Sequence, residues 1–172
     1  MRMDLHALMS QFQALPGARH GGGDDPVRKP RYRDAAEAVA AANPFLERYP
    51  DYLAFLTHYG GAGRYPDEEG DGLQYLTIYG FGEYDPCHCE ELDADGFHSF
   101  AESEIDSPDT APRENPFIVM NYAFDGTGTR PLGVYAPHYA PHGTTAKWRW
   151  PTFTSWLAEV VKTRGVLLPQ TG

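Results

Sequence analysis

Leu73-Gln74-Tyr75-Leu76-Thr77-Ile78-Tyr79-Gly80-Phe81 is where the chain changes its period. Before it, apolar residues recur at helical spacing; here they are β-branched and aromatic, as in a strand. Downstream, Phe117-Ile118-Val119-Met120-Asn121-Tyr122-Ala123-Phe124 reads as a second strand, its unbroken apolar start placing it centrally in a sheet. Asp125-Gly126-Thr127-Gly128 is a turn, and Leu132 to Tyr135 returns as the next strand of a hairpin with a long loop. Ala146 to Trp150 is a further strand. Thr152 then caps a helix whose Phe153, Trp156, Leu157, Val160 and Val161 form one apolar stripe. Lys162 and Arg164 suit its last turn, and Gly165 ends it.

Upstream, Pro50 opens a helix carrying Tyr52, Leu53, Phe55, Leu56 and Tyr59, and Gly60-Gly61 stops it, since glycine accepts a left-handed cap. Asp34 is the expected cap of an alanine-rich helix through Ala42, broken by Asn43-Pro44. Leu5, Leu8, Met9, Phe12 and Leu15 mark a short amphipathic helix, followed by a Gly/Pro-rich linker from Pro16 to Pro26. Arg28, Lys29, Arg31 and Arg33 flank that linker as a solvated basic patch. Residues 1–30 are therefore expected to form an appended helix and linker, and residues 31–172 the domain. Helices, then successive strands, then a helix define an α+β class with a mainly antiparallel sheet flanked by helices.

The 172 residues, 41% hydrophobic and 13% aromatic, suffice for one packed core. No apolar run approaches the roughly 18 residues that cross a bilayer. Asp4, His6, Ser10, Gln11 and Gln13 interrupt any signal-peptide core, so a cytoplasmic protein is expected. The two cysteines, Cys87 and Cys89, are too close to staple distant segments, which fits a reducing compartment. The net charge of −10 is unevenly placed: Asp51 to Glu114 hold sixteen acids against two arginines, a local charge of −14, while the remainder carries +4. Such a middle repels nucleic acid and anionic membranes and attracts basic partners.

Four pieces of the chain together resemble the SUKH superfamily, named in part after a yeast cell-wall-synthesis regulator. They are Tyr49-Pro50 through Gly60-Gly61, the strand Leu76-Thr77-Ile78-Tyr79-Gly80, Phe117-Ile118-Val119-Met120 leading to Asp125-Gly126-Thr127-Gly128, and Phe153-Thr154-Ser155-Trp156-Leu157. Residues 1–30 have no counterpart in that pattern, and the segment from Glu83 to Asn115 is long for it. The resemblance implies a SUKH-like antiparallel sheet with flanking helices. It also implies an immunity protein, which binds and blocks a bacterial toxin, many such toxins being basic nucleases or deaminases. It carries no catalytic residue and no cofactor, and a monomer is the expected state. The alternative from another class is an intracellular scaffold, acting through the N-terminal helix.

Cys87-His88-Cys89, with Asp93 or His98, would supply four zinc ligands. One intervening residue is unusual for a structural zinc site and no second ligand pair follows, so a loop with two thiols is the expected reading and a metal-dependent enzyme the remote one. A nucleophilic cysteine is disfavoured because Asp85, Glu90 and Glu91 raise a nearby thiol's pKa. Asp125-Gly126-Thr127-Gly128 lacks a P-loop lysine and joins two strands, so it is a structural turn. The remaining acids read best as an interface. Asp67, Glu68, Glu69 and Asp71 precede the first strand, and Glu83, Tyr84, Asp85, Glu90, Glu91 and Asp93 follow it. With both loops at one end of the sheet, they would present a negative surface with Tyr65, Tyr84 and Phe97 as aromatic anchors.

Overall fold

A computed structural model describes residues 4–21, 28–65, 75–81, 84, 95–106, 117–140, 143–165, 167 and 170–171. The helices are α1 (Leu5–Gln13), α2 (Arg28–Ala42), α3 (Pro50–Tyr59) and α4 (Phe153–Lys162). The strands are β1 (Ala18–His20), β2 (Ala62–Arg64), β3 (Tyr75–Ile78), β4 (Phe97–Asp106), β5 (Phe117–Asp125), β6 (Val134–Ala140), β7 (Gly143–Trp150) and β8 (Gln170–Thr171). They form one sheet in the order β1 to β7, each neighbour antiparallel, with β8 parallel to β6. The fold is thus α+β with an antiparallel sheet, and β5 is interior, as its apolar run implies. No helix among the described residues is long and apolar enough to cross a membrane.

Alternation along the strands assigns the two faces. Leu76 and Ile78 of β3 are buried, Tyr75 is exposed and Thr77 half-buried. Leu76, Ile78, Phe100, Met120, Tyr122, Phe124, Val134 and Trp150 share one core with Phe55 of α3 and Trp156 of α4. The helices therefore cover one face of the sheet. On the other face a smaller cluster gathers Phe97, Ala123 and Tyr135, with Ala146 packed against it.

Local chemistry fixes the helix ends. Pro50 stands in the first turn of α3, and Gly60 closes it at φ 69°, left-handed, with its N–H donating to Leu56 O. Thr152 caps α4: Ser155 N donates to Thr152 Oγ1 at 3.0 Å and Thr152 N donates to Ser155 Oγ at 2.9 Å. Asp51 of α3 adds a further acceptor there, taking Thr154 N at 2.9 Å and so tying the two helices together. The stop of α4 differs slightly from expectation: Thr163 is the cap and Arg164 itself takes positive φ, 59°, ahead of Gly165.

The expected hairpin forms, β5 pairing with β6 at Ala123↔Tyr135 and Phe124↔Val134, and β6 also pairs along its length with β7. Two further expectations are corrected. Asp34 lies inside α2 rather than at its cap, because the helix begins six residues earlier and takes in the basic patch. Residues 5–21, set apart by the sequence reading, are integral: Met9 and Phe12 are buried in the main core and β1 extends the sheet on β2.

Candidate functional site

β4 was not legible as a strand, yet it positions the most distinctive described surface. A bulge between Ser99 and Ala101 shifts its parity, so Phe100 and Ala101 are both buried on the helix side. From there Ser103 points inward, its hydroxyl 3.1 Å from that of Tyr122. Glu102 and Glu104 consequently share the opposite face, opposite Thr77 and Tyr75 of β3 respectively. Their Cα atoms are about 6.5–7 Å apart, two residues along a strand. Tyr75, Thr77, Glu102 and Glu104 line a small recess on that face.

Neighbouring strands complete the surface. Asn121 of β5 stands opposite Glu102. Tyr65, just beyond β2, lies across Gly63, and its hydroxyl meets Thr77 Oγ1 at 2.9 Å. The Tyr65 and Tyr75 rings are 6.3 Å apart. Arg19 of β1 places its guanidinium 5.5 Å from the Tyr65 centroid, a cation held on a tyrosine of this same face. Carboxylates, tyrosine rings and a hydroxyl thus converge on an exposed surface suited to basic side chains.

Of the residues expected at the interface, Glu68, Glu69, Asp71, Glu83, Asp85, Glu90, Glu91 and Asp93 lie outside the described residues, as do Asp67 and Cys87-His88-Cys89. Tyr84 is corrected: at 1% exposure it is a core residue, its ring against Gly61 and its carbonyl accepting from Gly80 N at 2.8 Å. Phe97 is also buried, under the Arg130 guanidinium at 4.1 Å. His98 faces Phe45, ring centroids 5.2 Å apart. Whether the two acidic stretches share one end of the sheet likewise falls outside the described residues. Glu102 and Glu104 enter the sequence analysis only through the local charge; the alternation Glu102-x-Glu104 is the available signal.

The turn after β5 is structural, and its chemistry is legible in detail. Asp125 is buried and accepts from Thr127 Oγ1 at 2.6 Å, Thr127 N at 3.0 Å, Arg130 N at 2.9 Å and Arg130 Nη1 at 3.2 Å. Arg130 Nη2 donates to Asp95 O at 2.7 Å, pinning the turn to the start of β4. Burial alone would raise the Asp125 pKa, but these hydrogen bonds and the guanidinium outweigh it and hold it at about 2, against 3.8 ordinarily. A depressed folded-state pKa stabilises above the ordinary value and is lost as pH falls from about 4 towards 2. Asp125→Asn is therefore expected to cost about 2 kcal/mol at neutral pH. In denaturant titrations from pH 7 to pH 2, its deficit against the parent should shrink on acidification.

No family model, curated protein or solved structure matches the chain.

Proposed function

We propose that this chain is a SUKH-like, immunity-type binding protein that neutralises a bacterial toxin with a basic surface, and that the outer face of β3 and β4 belongs to its binding surface. The observation carrying this reading is the pair Glu102 and Glu104 beside exposed Tyr75 on the sheet face opposite the helices. Aromatic anchors supply affinity, while like-signed charge around them speeds encounter with an oppositely charged partner. The local charge of −14 between Asp51 and Glu114 adds long-range attraction. Neutralisation is steric: the toxin's active site or substrate groove is covered, with no bond made or broken. The scaffold alternative has less to stand on, because Met9 and Phe12 commit the apolar face of α1 to the core.

Reversing both charges, Glu102→Lys with Glu104→Lys, tests the surface. With a purified basic partner, the association rate should fall about tenfold or more at low salt, and the difference should narrow at high salt as charges are screened. Equal association rates for the two chains at low salt would remove this face from the interface.

A further inference from the structure

Arg19, Gly63, Thr77, Glu102 and Asn121 stand directly opposite one another across β1 to β5, a single row on the outer face of the sheet. Glycine leaves that row open at residue 63, and the Tyr65 ring fills the gap with the Arg19 guanidinium 5.5 Å from its centroid. On the same face the Arg130 guanidinium lies 4.1 Å from the Phe97 centroid and donates to the Asp125 carboxylate at 3.2 Å. The face thus holds guanidinium groups of its own on aromatic rings, one of them with a carboxylate. Tyr75, Thr77, Glu102, Ser103 and Glu104 line a recess made of the same parts, a ring and carboxylates. Among the described residues the ion pairs are Arg33–Asp34 and Arg130–Asp125, and no Lys or Arg pairs with Glu102 or Glu104.

Resting on the reading of this face as the binding surface, we propose that the recess takes the guanidinium of an arginine side chain presented by the partner protein. Glu102 and Glu104 are both half-buried on one face of β4, so their like charges repel where solvent screens them incompletely. A cation between them relieves that repulsion. Arginine suits the place better than lysine: its planar fork directs N–H groups at two carboxylates at once, and its flat face stacks on a tyrosine ring. Tyr75, 41% exposed and opposite Glu104 in the ladder, offers that ring. The Thr77 hydroxyl is already engaged, 2.9 Å from that of Tyr65, so the selecting groups are the two carboxylates and Tyr75. Lysine would bring one strongly hydrated point charge and gain the Coulomb attraction alone.

The experiment titrates two charge-matched, end-blocked peptides into the full chain at near-physiological salt, with Kd read by calorimetry. One is a run of five lysines; the other carries arginine as its central residue. The arginine peptide should bind about tenfold tighter. In the chain carrying Glu102→Gln with Glu104→Gln that advantage should vanish. Tyr75→Ala should reduce it and Tyr75→Phe should keep it, since the ring and not the hydroxyl does the stacking. Melts of these variants should coincide with the parent's, because the three side chains lie on the outer surface of the sheet. An arginine advantage that survives the double Gln change, or no binding of either peptide to the parent, would overturn the recess. Equal Kd values for the two peptides, both weakened by the Gln changes, would overturn the recess and leave the basic-partner reading of the face standing. Equal Kd values that the Gln changes leave untouched would sink both.

Discussion

Trp156→Ala should destabilise the protein by about 3–5 kcal/mol, the range for emptying a large aromatic from a core. Trp156 is fully buried on α4, with ring centroids 5.0 Å from Phe100, 5.3 Å from Tyr122 and 5.8 Å from Phe153. It is the contact through which the closing helix grips the two interior strands, so the cavity opens between layers that cannot easily collapse. For a domain of this size the loss corresponds to roughly 6–20 °C in Tm. Trp156→Phe should cost much less. Its Nε1 is buried with no hydrogen-bond partner among the described residues, and an apolar replacement removes that unfavourable group along with the lost area. Denaturant melts of the two variants check this; equal losses would mean the indole nitrogen has a compensating partner.

Gly80→Ala should cost about 2–4 kcal/mol although it adds one methyl group. A Cβ at residue 80 would collide with the carbonyl oxygen of Gly60 and with Gly61 Cα, both backbone atoms. This is the point where the end of α3, the start of β2 and the end of β3 meet. Phe81 N donates to Gly60 O at 2.7 Å, and Gly80 N donates to Tyr84 O at 2.8 Å. Relieving the collision means surrendering one of these bonds or lifting Tyr84 from its place over Gly61. Circular dichroism melts of Gly80→Ala against the parent read the loss; a Tm within a degree of the parent would show that the junction is looser than described.

Much of this architecture was legible in the residues themselves, and the omissions have physical causes. Gly60 and the stripe from Phe153 to Val160 marked helix boundaries, because backbone conformation and periodicity leave residue-level signatures there. The three-residue strands β1 and β2 left none: Ala62-Gly63-Arg64 has no strand composition and is held by pairing with β3. β4 was obscured by its bulge, which puts Phe100 and Ala101 on the same face, and by Ser103 in a core position. Asp34 reads as a cap locally, but α2 continues through it. At the site, acidity was plain from composition, whereas its display depended on strand parity, which turned Glu102 and Glu104 outward. Tyr84, adjacent to two of the counted acids, was drawn inward because Gly61 leaves room for its ring.

The central claim is that the outer face of β3 and β4 captures a basic protein. The most direct measurement is affinity capture from the protein's own cells, at low and high salt, with the retained proteins identified by mass spectrometry. The parent and the Glu102→Lys, Glu104→Lys chain are run side by side after their melts are shown to coincide. The account predicts one basic, toxin-like protein held by the parent at low salt, weakened at high salt and missing from the reversed chain. Capture of the same protein by both chains in equal yield, or of a partner indifferent to salt, would contradict it.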